Sequence, residues 1–334
     1  MEESSTADVQ ENLIQQLSPE LLRTLLIDHS TSTAEKRQNI FWATSDYEQC
    51  GDGFGYHDPI TPECITGKNG RIIMPRVLKA KDTQQERSHS MAEVFTPSWV
   101  CNAQNNLIDN EWFGRTDVFN REYTLEDGQH VWETNTDNIV FPEGKTWMDY
   151  VRDTRLEITC GEAPYIVSRY DTTTGREIPL RQRIGILDRK LRVVSENTSN
   201  SGEWLKAARA AYKSTYAYEW QGDNLLLARE AMLISFIEYY QDKFGKMPQL
   251  KSMKYIAYII SWNVWQMDGL KGVIPNSCGI RPSKPDLLGF THELPCQGCK
   301  QGDIFKHNGI YCYIRDWRKK KAVRNIRFID LLTQ

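Results

Sequence analysis

The chain is predicted to be an α/β protein organised around a parallel sheet, and three features of its centre carry that prediction. Arg155–Cys160 reads as a buried strand running into Gly161, and Ser214–Glu219 reads as a second strand. The latter is followed by helical periodicity from Asn224 to Tyr240. A third segment, Asn263–Asp268, leads into Gly269 behind an apolar stretch, Tyr255–Trp262, that suits a helix or a strand. Strands alternating with helices at this spacing pack side by side in parallel, because a helical crossover returns the chain to the same sheet end.

With 40% hydrophobic and 25% charged residues among 334, the chain can bury one large core or two smaller ones. No apolar run approaches the roughly 20 residues that span a bilayer, so no membrane partner is expected. The acidic, polar start Met1–Ser5 does not resemble a signal or transit peptide. The expected location is the cytoplasm, where the eight cysteines would be reduced thiols or metal ligands.

In chain order, Ser18-Pro19-Glu20 marks a helix start, with Ser18 as cap and Pro19 at the first helical position. Leu21, Leu22, Leu25 and Leu26 give it an apolar stripe, and a Ser/Thr-rich linker follows at 30–34, an arrangement that suits a docking arm or a lid. Residues 45–90 read as loops and short strands, 98–109 as a helix after Pro97, and 110–150 as an irregular insertion. The divisions expected are 1–90 for an N-terminal helix and irregular region, 91–275 for the α/β domain, and 276–334 for a Cys-rich basic region.

Four elements then appear in a fixed order. They are Glu93-Val-Phe95-Thr96-Pro97-Ser-Trp, Leu156-Glu157-Ile-Thr-Cys160-Gly161-Glu, Tyr218-Glu219-Trp220 with Ala228-Arg-Glu, and Trp265-Gln-Met-Asp268-Gly. Together they resemble the cofactor half of the N6-adenine DNA methyltransferases of restriction-modification systems, the kind labelled restriction endonuclease subunit M. The resemblance implies a Rossmann-like S-adenosylmethionine-dependent methyltransferase fold with S-adenosylmethionine as cofactor. It implies that Phe95, Thr96 and Pro97 begin a helix over the methionine end, with Thr96 as cap. Glu157, Cys160 and Gly161 would form the turn under the cofactor, Glu219 would accept the ribose hydroxyls, Trp220 would stack on adenine, and Asp268 would meet its amino group. DNA is the implied partner, with a specificity or nuclease subunit beside it.

The family's Asn/Asp-Pro-Pro-aromatic loop, which holds the flipped base, is absent: none of the 13 prolines adjoins another. Only 66 residues follow Asp268 in this 334-residue chain, short for the remaining strands of such a sheet. No catalytic residue can therefore be named. The rival expectation is a non-catalytic module that keeps the fold to bind DNA or a partner. Pro295-Cys296-Gln-Gly has the look of a cytosine methyltransferase nucleophile loop but lacks a downstream Glu-Asn, and a nuclease reading finds no Glu-x-Lys after Pro285-Asp286.

The knuckle Cys296-x-x-Cys299 suits a structural zinc, with Cys312 and either Cys278 or His307 completing four ligands; reduced core cysteines are the alternative. Two basic stretches could meet phosphates. One holds Arg315, Arg318, Lys319, Lys320 and Lys321, and the other runs from Arg181 to Arg192. Solvated surface is the alternative for both.

Overall fold

The computed structural model describes residues 11–79, 81, 96–282, 291 and 293–332. It is a mixed α/β arrangement in which small sheets are embedded among ten helices, counted over the described residues. The central sheet has three strands, β5 (Arg155–Ile158), β6 (Thr215–Glu219) and β7 (Val264–Gln266), in that order and all parallel. Helices α6 (Ile186–Glu196) and α7 (Ser201–Lys213) lead from β5 to β6, while α8 (Gly222–Phe244) and α9 (Leu250–Asn263) lead from β6 to β7. Tyr255–Trp262 is thus helical, and the strand begins two residues later.

The large core joins sequence-distant elements. Helices α1 (Glu11–Leu17) and α2 (Pro19–Leu26) bring Ile14, Leu21, Leu22, Leu25 and Leu26 into one cluster with α8 and α9. Those four α2 leucines are 0% exposed, so α2 is a core element and not an arm or lid. A buried guanidinium fastens it. Arg229 on α8 donates to the carbonyls of Ile27 (3.0 Å), Ser261 (3.2 Å), Val264 (2.8 Å) and Leu25. Burial holds its pKa down at about 10, and the four carbonyls take four of its five N–H donors where water cannot.

Helix α4 (Ser98–Phe113) follows Pro97 as expected, but the cap position is Pro97 rather than Thr96. Proline offers no side-chain acceptor, so the carboxylate of Asp171 reaches in from a neighbouring loop to accept from Ser98 N–H at 3.0 Å. Residues 110–150 are more regular than expected. They contain a hairpin of β3 (Asn120–Thr124) and β4 (His130–Thr134) and a short helix, α5 (Trp147–Arg152), capped reciprocally by Thr146 and Asp149. Asp127-Gly128 sits at the hairpin turn with Gly128 at φ +84°, a backbone state that favours glycine.

The basic stretch 181–192 is largely internal, which corrects its reading as a phosphate-facing surface. Arg183 pairs with Glu238 at 2.6 Å, and fully buried Arg189 pairs with Asp109 at 2.6 Å. Lys190 donates to the Asp153 carbonyl at 2.5 Å and to Ser214 Oγ at 2.8 Å, and burial pulls its pKa down to about 7. At the other end of the chain, β10 (Tyr313–Arg315) and β11 (Asn325–Arg327) form a hairpin. Its Ile314, with Cys312 and Phe328, packs on Tyr218, Trp265 and Met267 of the central sheet region in a second core cluster.

Candidate cofactor edge and metal centre

The turns that follow the three parallel strands meet at one edge. Gly161 N–H donates to Glu219 Oε2 at 2.8 Å, Cys160 N–H to the Tyr218 carbonyl at 2.9 Å, and Met267 N–H to the Glu219 carbonyl at 2.9 Å. Carboxyl edges of parallel strands are where such sheets gather ligands, because the strand ends and helix N-termini leave backbone groups free there. Glu157, Glu219 and Asp268 place three carboxyl groups around this edge. Burial pushes Glu157 up to about 7 and also raises Glu219, although backbone N–H groups of Gly161, Gln221 and Trp220 oppose the latter. The Cys160 thiol is raised well above its ordinary range by burial and by Glu219, which disfavours a thiolate nucleophile there.

The turn itself keeps a left-handed backbone at two positions, Gly161 (φ +52°) and Ala163 (φ +64°). Ala163 stands where the resemblance would place a second glycine. The chain retains the glycine-like conformation there at a strain of about 1 kcal/mol. Thr96 lies near this segment: its carbonyl accepts from Thr172 Oγ1 at 2.9 Å, and the Tyr165 hydroxyl is close to its side chain. Phe95 lies outside the described residues.

A segment not singled out in the sequence covers this edge. Gln266 accepts from Phe41 N–H at 3.1 Å and donates to the Phe41 and Trp220 carbonyls at 2.9 and 2.8 Å. Gly222 N–H, at the start of α8, donates to the Trp42 carbonyl at 2.9 Å. A Cβ at Gly222 would lie 2.0 Å from the Phe41 carbonyl oxygen, so only glycine allows this approach. Trp220 Nε1 donates to Tyr56 Oη at 3.2 Å, which places the Tyr56 hydroxyl against the side chain expected to stack on adenine. Asp268 is turned to Lys271 at 2.9 Å. The signal for the cover, a Trp-Ala-Thr and Gly-Phe-Gly-Tyr pattern at 42–56, carries no periodicity that links it to residues near 220 and 266.

Beyond β7 lies a candidate metal centre. Cys278, Cys296, Cys299 and His307 bring three sulfurs and one ring nitrogen within 4.8 Å of one another, a set that can hold a metal ion such as zinc. The three Sγ atoms lie 3.5, 3.5 and 3.6 Å from His307 Nδ1. Zinc–sulfur and zinc–nitrogen bonds of about 2.3 and 2.0 Å in a tetrahedron give an S···N edge of roughly 3.5 Å, so the spacing fits one ion at the centre. Asn308 N–H also donates to Cys296 Sγ at 3.3 Å. Burial opposes ionisation of Cys296, yet the N–H groups of Asn308 and Cys299 together with His307 bring it down to about 6, whereas Cys278 is pushed up to about 12 by burial and by the other two cysteines. Two glycines make the room. A Cβ at Gly298 would sit 2.6 Å from His307 Nδ1, and one at Gly309 would sit 3.0 Å from Cys278 Sγ.

Cys312, expected as a ligand, is not part of the cluster. It is 0% exposed and its Sγ contacts the Gln266 carbonyl at 3.3 Å, because the alternation Tyr311-Cys312-Tyr313-Ile314 turns it into the core beside β7. His307, one of the two alternatives for the fourth position, joins Cys278 in completing the set. The centre is tied to the sheet by bridges from Val273 to Asp268 and to Tyr311 and by Cys312 N–H donating to the Gly272 carbonyl.

In the basic tail, Arg315 is committed to packing. Its guanidinium lies 3.9 Å from the Trp262 ring centroid and donates to Tyr258 Oη, which removes it from a phosphate-facing role. Arg318 is exposed but chelated by Asp316 at 3.0 and 3.2 Å. Lys319, Lys320 and Lys321 are exposed in the turn between β10 and β11. Among the described residues no helix is long and apolar enough to cross a membrane. No protein-family model, no curated protein and no solved structure matches this chain.

Proposed function

We propose that this chain is a divergent S-adenosylmethionine-dependent DNA methyltransferase of the adenine N6 type, with a zinc-braced C-terminal region. One observation carries the reading. The Gly161 turn, the Glu219 strand end and the Asp268 turn meet at the carboxyl edge of one parallel sheet, with Thr96 near Tyr165, four residues after Gly161. In that role Glu219 binds the ribose hydroxyls, Asp268 and Trp220 hold the adenine, and Glu157 with the Cys160-Gly161 backbone lies under the methionine end. Binding there would displace Tyr56 from Trp220. The zinc serves to fix the segment after Asp268, and DNA, with a specificity or nuclease subunit, is the partner.

Titration of the purified protein with S-adenosylmethionine by calorimetry, followed by transfer of labelled methyl groups to DNA, tests this. Saturable binding that Glu219→Ala abolishes is expected, with transfer to adenine. Absence of binding overturns the cofactor assignment.

A second reading, a non-catalytic DNA- or partner-binding subunit, is favoured by a specific observation. Both Glu219 oxygens already accept backbone N–H groups, and Phe41–Trp42 lies across the edge. It is the reading to adopt if calorimetry shows no cofactor binding while DNA is retained.

A further inference from the structure

Far from the cofactor edge, three helices turn cationic side chains into one depression of about 730 Å³. Helix α5 contributes Arg152, α7 contributes Lys206, Arg209 and Lys213, and α9 contributes Lys251 and Lys254; no acidic residue lines it. The spacing is deliberate in its geometry: 206, 209 and 213 lie on one face of α7, as do 251 and 254 on α9. Like charges three or four residues apart destabilise a helix by about 0.2–0.5 kcal/mol per pair. Lys254 pairs with Glu20 outside the groove. Among the described residues, none of the other five has a carboxylate within ion-pairing distance. Arg209 Nε is buried without a hydrogen-bond partner. Beyond the Lys254–Glu20 pair and the ring contacts of Arg209 with Tyr255 and of Lys213 with Tyr255 and Trp317, no contact among the described residues offsets this concentration of positive charge, in a chain whose net charge is -3.

The groove continues into a second, more enclosed cavity of about 310 Å³, with Arg152, Ala210 and Lys213 shared between the two. Tyr216, Trp265, Trp317 and Phe328 bring four aromatic rings to its wall, and Arg318 stands beside them with its partner Asp316. Lys213 marks the junction, 5.3 Å from the Tyr255 ring centroid and 5.2 Å from that of Trp317. Thr154 and Ser214, which directly precede β5 and β6, also line this cavity. It therefore opens near the amino ends of the strands, whereas Gly161 and Trp220 follow their carboxyl ends.

We propose that this groove binds the phosphate backbone of single-stranded nucleic acid and that the adjoining aromatic cavity receives one unstacked base. A track of cations beside aromatic rings is what a flexible polyanion with π-faces recognises: charge follows the phosphates, and rings stack on bases without regard to sequence. A duplex keeps its bases stacked and cannot enter the cavity. An anionic membrane would call for aromatic side chains that protrude beside the cations; here Trp317 and Tyr216, the rings open to a base, are half-buried, and Trp265 and Phe328 behind them are 3% and 8% exposed. The site is independent of the methyltransferase reading, because it shares no residue with the cofactor edge.

Fluorescence anisotropy of a labelled oligothymidylate against the full chain at stepped salt tests the proposal. Lys206→Ala, Lys213→Ala and Lys251→Ala together remove three phosphate contacts. The expected slope of log affinity against log salt then falls by about 2, and affinity near 0.1 M salt falls about 100-fold. Lys206 and Lys251 are exposed and Lys213 is half-buried; an unchanged melting curve confirms that the triple variant folds, and Lys206→Glu alone gives the same direction if it does not. The oligonucleotide should quench tryptophan emission in the parent chain, and Trp317→Phe should diminish that quenching. The proposal is overturned by equal affinity in parent and variants, by no binding to the parent, by duplex binding as tight as single strand, or by binding to anionic vesicles alone.

Discussion

Gly298 is the position at which the candidate metal centre can be broken with one methyl group. It lies between the two cysteines of the knuckle, and a Cβ there would fall 2.6 Å from both His307 N and Nδ1 and 2.7 Å from Cγ. Contacts that short involve backbone as well as ring, so His307 cannot simply rotate aside. Gly298→Ala should expel it and leave three sulfur ligands. Structural zinc sites bind with about 10–16 kcal/mol, so one ligand in four is worth roughly 3 kcal/mol, which is about a 100-fold loss of affinity. Competition with a coloured zinc chelator reads this shift directly, and elemental analysis of the purified protein gives the stoichiometry. Gly279→Ala is the matched control. It adjoins the ligand Cys278, yet a Cβ there meets nothing within 4 Å, so zinc affinity should be unchanged. If Gly298→Ala held zinc as tightly as the parent, or if the parent bound none, the tetrahedral assignment would be wrong.

Three further outcomes follow from the structure. Arg229→Met leaves four buried carbonyls without their donor and should lower stability by about 3–5 kcal/mol in urea denaturation; a loss under 1 kcal/mol would mean that the α2 contact forms without it. Glu157 titrates near 7 in the folded chain, above its unfolded value, so the native state holds the extra proton in the window between and stability falls as pH rises through it. Glu157→Gln should flatten that slope, leaving parent and variant alike at low pH and the variant relatively stabilised above pH 7. Removing Arg318, Lys319 and Lys320 together should reduce the salt slope of duplex DNA retention by about 2 to 3, and an unchanged slope would dismiss the tail as a phosphate contact.

The central strands and the helices around them were legible because their signals are local. Thr215–Glu219 is an apolar run that stops at an acid, and Leu21 to Leu26 form a helical stripe that fits one buried face. Helix 98–113 was readable from Pro97, but its cap was not, since Asp171 reaches it from 73 residues away. The β3–β4 hairpin had its Asp-Gly turn in plain sight, yet the flanking strands are mostly exposed and lack clean alternation. Of the four clustered residues, Cys296 and Cys299 were legible from their spacing, while Cys278 and His307 stood as alternatives for one place and both belong to the set. Cys312 misled because a cysteine looks the same in a ligand set and in a core. The 181–192 stretch misled for a related reason. Charge in sequence says nothing about burial, and Asp109, Asp153 and Glu238, which neutralise it or accept its donors, lie elsewhere in the chain.

The Arg229 staple also sets an order of events during synthesis. Its acceptor at Leu25 was made 204 residues earlier and its acceptor at Val264 comes 35 residues later. At about 5–20 residues per second, the leucine face of the first helices leaves the ribosome some 10–40 seconds ahead of the surface that will cover it. During that interval its apolar side chains lack the helices that bury them, and chaperone engagement at residues 14–26 is the expected consequence.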